Sequence, residues 1–374
     1  MPKRIKIPDL IYRKLFEKKD RDGFADESLT KYLAFLVKDI NLKPTVGENV
    51  RECTKLLLDM WTKNFADNLP YIRFGNKLVM NIDTYEAHNL AELAEPEPSI
   101  EKPPTHSAIV IGRGPSIFKN KHLEVLSKAI SQRRYDGVIC ATDGMLNECL
   151  THHIIPTLIT TVDGSPIIKK WYDTSLVKKH GSKLKIALST TVNHEVYKTI
   201  HKAGCKIFWF HPMFDDPHEF GSWTRIQRLM TVSDFLKKPL QAISCGGNTG
   251  TTSWVMAATL FKASPTCLIG MDFSYPEGTK LEDTPYFSGF MEATKDAGMI
   301  PHVYKKVYHP FFKTYAYIDA VFTSYRQSFL EFQRKTPPWY QHWGGTINAT
   351  GGGALFGPEI KCMTFKKFLS KYPK

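Results

Sequence analysis

Beyond Ser107 the chain alternates between two hydrophobic periods. Short apolar runs recur at "AIVIG" (108–112), "GVICAT" (137–142), "TLITTV" (157–162), "KIALSTTV" (185–192), "KIFWFHP" (206–212) and "TCLIGMDFSY" (266–275). Runs of this length, rich in β-branched residues and bounded by turn formers, predict buried strands. Between them lie amphipathic stretches such as "NHEVYKTIHKAG" (193–204) and "TSWVMAATLFKA" (252–263), which predict helices. Strand and helix in strict alternation imply an α/β domain with a doubly wound, mostly parallel, Rossmann-like sheet.

The pattern before Ser107 is different. In "KRIKIP" (3–8) Arg4 and Lys6 alternate with Ile5 and Ile7, as in a half-buried strand. A helical stretch closed by Gly23 follows, and then Leu29, Tyr32, Leu33 and Leu36 fall on one helical face. This strand–helix–helix order over residues 1–42 is similar to a ribbon–helix–helix module, which pairs two chains and sets their strands in DNA. A helical or dimerising cap fits it equally. Residues 43–104 read as a helical segment ("VRECTKLLLDMWTKNFADNL") that ends in the acidic, proline-rich linker "AELAEPEPSIEKPPT". The expected organisation is a small, mainly helical N-terminal part, 1–42 plus 43–104, ahead of an α/β domain at 105–374.

Composition narrows this picture only in part. The chain has 374 residues, is 42% hydrophobic and carries a net charge of +13. A basic surface suits nucleic acid, anionic membrane or phosphorylated substrates alike. The sequence shows no apolar run of bilayer-spanning length and no signal-peptide core. The seven cysteines are scattered, with no CxxC pair. Reduced thiols in a cytoplasmic protein are therefore expected, rather than a zinc site or a disulfide framework.

In a doubly wound sheet, ligands bind beyond the carboxyl ends of the strands. The polar residues there are the Gly112–Ser116 turn ("GRGPS"), Asp143, Asp163, His211 and Asp272. Strand, glycine turn and helix start together suit a phosphate, although no P-loop and no complete dinucleotide fingerprint is present. An Asp after a strand also commonly caps the next helix. A second cluster, "SCGGNTGTT" (244–252), places Gly247, Asn248, Thr249 and Thr251 at another helix start. Two such turns in one sheet suggest two sides of one nucleotide.

These residues resemble a known family. "IGRGPSI" (111–117), "ATDGMLNECLTHHIIPTLITTVDGSP" (141–166) and "GGNTGTTSWVMAATLFKASPTCLIGMDFSY" (246–275) are similar to the 6-hydroxymethylpterin pyrophosphokinase-like (MptE-like) superfamily. That group includes the bacterial motility accessory factors, implicated in adding nonulosonic sugars to flagellin. "GGTINATGGGALFG" (344–357) resembles the C-terminal segment of those factors. The glycine–proline–serine turn and "IGMDFSY" more distantly resemble bacterial sialyltransferases. The chain departs from the pterin kinases at "TTVDG" (160–164), which keeps Asp163 but lacks a first Asp, and at "FHPMFDD" (210–216), which keeps His211.

The resemblance implies a glycosyltransferase using a nucleotide sugar, with CMP-linked nonulosonic acid as the donor and a glycan or protein as the acceptor. Gly112, Gly114, Pro115, Ser116, Asp143, Asp163, Gly247, Asn248, Thr249, Thr251 and Asp272 would bind the nucleotide. Asp272 would orient its ribose or base. His302, His309 and His211 are the candidate bases, and Tyr304 and Tyr308 the candidate donors to the leaving phosphate. "HVYKKVYHPFF" (302–312) reads at least as well as a packed aromatic loop. No cofactor is expected on this reading. The alternative is pyrophosphate transfer from ATP to a hydroxymethylpterin, with Mg²⁺ on Asp143, Asp163 and Asp216. A third reading is a nucleotide-sensing DNA-binding protein, and a homo-oligomer fits any of the three.

Overall fold

The computed structural model describes residues 46–74, 88–232, 239–294, 298 and 300–373; side chains are not described for residues 46–56, 74, 293–294 and 301–302. The strand–helix–helix unit expected at residues 1–42, with the DNA contact attached to it, lies outside the described residues.

A 10-stranded sheet forms the centre. Its strands are β1 (His88–Asn89), β2 (Ala108–Ile111), β3 (Val138–Thr142), β4 (Leu158–Thr161), β5 (Lys185–Ser189), β6 (Lys206–Pro212), β7 (Ala242–Ile243), β8 (Thr266–Ile269), β12 (Thr346–Asn348) and β13 (Ile360–Cys362). The order is β1-β6-β5-β4-β3-β2-β8-β12-β13, with β7 alongside β6. Every pairing in it is parallel. The chain therefore walks outward from β2 to β6, returns, and continues on the other side of β2 through β8. The doubly wound α/β fold read from the sequence is the fold observed.

Period-two alternation explains why β2 sits in the middle. Ala108 and Val110 join the core beneath Trp254, Met256 and Phe329. Ile109 and Ile111 face the opposite layer, with Leu123 and Leu126. All four residues are fully buried, as a strand covered by helices on both faces requires. Two of the flanking helices show how a side-chain cap starts them. Asn193 accepts from the Glu195 N–H ahead of His194–Lys202, and Asp319 accepts from the Phe322 N–H ahead of Ala320–Arg334.

The helix Val46–Phe74 is bound to the α/β layer by two asparagines one turn apart. Asn64 donates to the Gly164 and Thr191 carbonyls at 2.9 and 3.0 Å. Asn68 donates to Thr190 and Val192 at 3.1 and 2.7 Å. Both are buried, so their amides replace water for four loop carbonyls. The proline-rich linker is also anchored, since Glu97 accepts from Trp339 Nε1 at 2.9 Å and pairs with Lys262.

A second, antiparallel sheet is made of β9 (Tyr275–Pro276), β10 (Lys305–His309) and β11 (Thr314–Ile318), in the order β10-β11-β9. Its β10 strand and the turn that follows hold residues 305–312 of "HVYKKVYHPFF", a packed aromatic hairpin. Among the described residues, no helix is long and apolar enough to cross a membrane. The six described cysteines are free.

Candidate functional site

The order of the strands reverses between β2 and β8, and a cleft of about 460 Å³ opens there at the carboxyl ends of β2, β3 and β8. Three polypeptide turns build it. The turns after β2 and β8 are locked into each other. Gly112 N–H donates to the Ile269 carbonyl at 2.9 Å, and Gly114 N–H donates to the Gly270 carbonyl at 2.7 Å. A Cβ at Gly112 would lie 2.5 Å from the Gly270 oxygen, and one at Gly114 would lie 2.6 Å from Asp272 Cγ. These glycines are therefore set by contact between two turns, not by the approach of a ligand to the backbone.

Asp272 completes the lock. Its Oδ2 accepts from the Ser116 N–H at 2.8 Å, and its Oδ1 accepts from the Ser116 hydroxyl. Burial pushes its carboxyl up to about 6, against the lowering effect of the Ser116 bonds. Asp272 is thus a cap on the Ser116–Lys119 turn. The N–H groups of Gly112, Gly114 and Ser116, expected to hold a phosphate, are satisfied within the protein. The sequence could not show this, because the cap spans 156 residues.

Asp143, at the end of β3, is different. It is 6% exposed and lines the cleft. Its Oδ1 accepts from the Gly144 N–H at 2.7 Å. Its Oδ2 is buried with no protein partner, and so is the hydroxyl of Thr142 beside it. Burial raises the Asp143 carboxyl to about 7; the Gly144 N–H and Arg113 oppose this, while the nearby charge of Asp163 adds to it. Unpaired buried polar atoms occur elsewhere among the described residues, but Asp143 and Thr142 carry theirs in residues that line the cleft, where a ligand can supply the missing partners.

Arg113 crosses the cleft mouth. Its Nη1 donates to the Gly144 carbonyl at 2.7 Å, and its guanidinium stacks on Trp171 at 4.3 Å. Stacking plus one hydrogen bond fixes the plane of the group and leaves its other donors available. Asn248 and Thr249 form the far wall. Asn248 Oδ1 accepts from the Thr251 N–H at 2.8 Å, which caps the helix Thr249–Val255. Tyr275 and Tyr325 close the aromatic side. Tyr275 is held by its hydroxyl, which donates to Asp319 at 2.8 Å.

Of the residues expected at the site, Gly112, Gly114, Pro115, Asp143, Asn248, Thr249 and Asp272 line this cleft. Ser116 sits behind Asp272. Asp163 is exposed near Asp143, with its Oδ1 on the Ser165 N–H at 2.8 Å. Thr251 is fully buried behind the wall. Gly247 takes a positive φ against Tyr325.

Two of the three candidate bases, His211 and His309, are not brought to the cleft. His211 is fully buried, with Nδ1 on Thr190 Oγ1 at 3.0 Å and Nε2 on Thr231 Oγ1 at 2.9 Å. Burial holds it neutral, lowered to about 3. His309 is also fully buried; its Nε2 meets the Leu355 carbonyl at 3.3 Å, and its Nδ1 accepts from the Phe312 N–H. Burial lowers it to about 4. Both histidines are packing residues, because neither ring nitrogen is left for a substrate proton. The side chain of His302 lies outside the described residues. Tyr304 is buried, its hydroxyl against Thr284, and Tyr308 packs on Tyr315. Asp216, the third carboxylate of the Mg²⁺ set, accepts from the His218 N–H in a separate exposed turn.

Trp171, Thr142, Tyr275 and Tyr325 were not foreseen. Their signal is faint: Thr142 directly precedes the Asp at a strand end, and Tyr275 closes "IGMDFSY".

The comparisons agree with the fold. The signature of the family "6-hydroxymethylpterin diphosphokinase MptE-like" matches residues 76–278. A solved structure of a Maf glycosyltransferase from Magnetospirillum magneticum AMB-1 superposes with a TM-score of 0.50 at 12% identity. The alignment covers 96% of this chain but 47% of that one, so the chain spans about half its length. No curated protein matches the chain.

Proposed function

The chain belongs to the 6-hydroxymethylpterin diphosphokinase MptE-like family, and from that premise we propose that it is a transferase whose nucleotide donor lies in the switch-point cleft, with a nucleotide sugar, CMP-linked, as the donor. The observation that carries the reading is the unpaired Asp143 Oδ2 and Thr142 hydroxyl on the wall of a cleft at the reversal of strand order. Such a crevice is where open α/β sheets take nucleotides. Asp143 and Thr142 suit sugar hydroxyls, with Asp143 replacing the already bonded Asp272 in that role. Arg113, with the Asn248–Thr249 turn opposite, suits a phosphate. Tyr275 and Tyr325 offer a face to the base or the transferred sugar.

Transfer from a nucleotide sugar asks the protein to stabilise one departing phosphate, which the fixed guanidinium of Arg113 can do. The Maf neighbour shares the fold and is named a glycosyltransferase, which favours glycosyl over pyrophosphoryl transfer.

Pyrophosphate transfer from ATP is the second reading, favoured by the charge of Asp163 close to Asp143. A Mg²⁺ carried by the triphosphate needs only one or two protein carboxylates. Asp143 Oδ2 and Asp163 would supply them without Asp216. Mg²⁺ would neutralise the phosphates, while Arg113 and Trp171 would hold their place.

Thermal melts with CMP, ATP, and ATP plus Mg²⁺ separate the two. A ligand bound only by the native state raises the melting point. The proposal expects CMP to give the largest rise, unaffected by EDTA. A rise with ATP plus Mg²⁺ alone, abolished in Asp163→Asn, would establish the kinase reading in its place.

A further inference from the structure

A second cavity of about 370 Å³ adjoins the cleft, and Pro115, Asp272 and Ser274 line both. Its other walls come from three distant segments: the end of the Ser116–Lys119 turn, the β10–β11 turn, and the loop after β12. The first two bring Lys119 and Lys313 to it. Both lysines are exposed, and among the described residues neither has an ion-pair partner. Lys313 holds a φ of 54°, a conformation that L side chains avoid and that a closed turn imposes here.

The third wall is bare backbone. Gly351, Gly352 and Gly353 run consecutively, and the first and last have φ of 78° and 83°. Each is fixed by a neighbour: a Cβ would lie 2.7 Å from Asn120 Nδ2 at Gly351, 3.3 Å from Thr314 Oγ1 at Gly352, and 2.6 Å from the Asp272 carbonyl oxygen at Gly353. The Gly352 N–H donates to the Thr350 hydroxyl at 3.4 Å, and glycines held this way leave the main-chain amides of Gly351 and Gly353 without side-chain cover, the arrangement that forms anion-binding concavities. The Thr314 hydroxyl beside them is buried with no protein partner. The acidic groups are already committed. Glu277 pairs with Lys306 at 2.7 Å, and both Asp272 oxygens accept from Ser116.

We propose that this second cavity is an anion subsite, built to hold a carboxylate or phosphate group of the molecule that reacts at the neighbouring cleft. The assignment rests on the nucleotide reading only for the identity of that neighbour. The anion belongs either to the group carried on the nucleotide or to a separate co-substrate. In both cases the shared wall sets it beside the donor phosphate.

The test uses the full chain labelled with [15N]glycine, with inorganic phosphate titrated in the presence of saturating CMP. The Gly351, Gly352 and Gly353 amides are expected to shift saturably. The Lys119→Ala/Lys313→Ala variant should weaken that response at least tenfold, and Lys119→Arg/Lys313→Arg should retain it. Repeating the titration with CMP-N-acetylneuraminate in place of CMP identifies the source. Displacement of phosphate assigns the anion to the carried group, and unchanged binding assigns it to a co-substrate. Glycine amides that do not move, or that move equally in the double alanine variant, overturn the proposal. If CMP leaves Gly112 and Gly114 unshifted while phosphate still titrates the glycine loop, the nucleotide reading fails and the subsite stands.

Discussion

Asp143→Asn should make the protein more stable and less able to bind nucleotide. The wild-type carboxyl is raised from 3.8 to about 7, chiefly by burial. That rise sets a ceiling of about 4 kcal/mol on the cost of holding the ionised group in the fold, each tenfold in proton affinity being about 1.4 kcal/mol. Water in the cleft lowers that figure, so a gain of about 2–3 kcal/mol is expected. Asn keeps the Gly144 N–H···Oδ1 bond and removes only the charge. The sign follows from proton uptake. Below about pH 4 the carboxyl is protonated in both folded and unfolded chains, and the substitution changes little. Between about pH 4 and 7 the folded state keeps a proton that the unfolded state has lost, so wild-type stability falls as pH rises. The gain from Asn therefore grows over that window and is complete near pH 8. Urea unfolding of both proteins, followed by tryptophan fluorescence at pH 4.5 and pH 8, measures it directly. A variant no more stable than wild type at pH 8, or equally stabilised at both pH values, refutes the account of Asp143 as a buried carboxyl kept unpaired for a ligand.

Other substitutions separate structural from functional roles. Gly114→Ala should destabilise the fold by about 2–4 kcal/mol in urea, because its Cβ meets Asp272 Cγ at 2.6 Å and the Gly270 oxygen at 2.7 Å. A stable variant that lost only ligand binding would return this glycine to the ligand. His211→Asn should lose about 1–3 kcal/mol at pH 8 by unpairing Thr190 and Thr231. It should also show a flatter acid limb. Neutral His211, lowered to about 3, contributes stability that is complete above pH 6.5 and is lost as pH falls toward 3. An acid limb as steep as wild type would contradict that role. Thiol titration of denatured, unreduced protein should recover seven thiols, and a shortfall would contradict the free cysteines.

Six of the ten strands were legible because they are buried on both faces, whereas the short edge strands β1, β7 and β13, and β12, were not foreseen. A strand such as Ala108–Ile111 then has no polar alternation to blur it, and continuous apolar runs between amphipathic helices allow few sheet topologies. The candidate cleft was half legible. Asp143 and Asn248 stand at strand and helix ends, where the rule for open α/β sheets looks. Asp272 stands there too, yet its carboxylate is committed to Ser116, a pairing no local pattern records. The histidines misled for a related reason. Composition shows that His211 and His309 could take a proton, and only packing shows that Thr190, Thr231, Leu355 and Phe312 already occupy their ring nitrogens. The antiparallel sheet at 275–318 was not foreseen. Its aromatic-rich strands lack the uninterrupted apolar signature, because eight of their twelve residues are half-buried or exposed.

The central claim is that a nucleotide binds at the reversal of strand order, its phosphate against Arg113 and its sugar against Asp143. Calorimetric titration of CMP into the wild-type protein, Arg113→Ala and Asp143→Ala tests it most directly. Each removed group ends a hydrogen bond to or from a charged partner, worth about 1.5–3 kcal/mol. Each variant should therefore bind at least tenfold more weakly, with an unchanged circular dichroism spectrum. Wild-type protein that binds no CMP, or variants that bind it as tightly as wild type, would contradict the account.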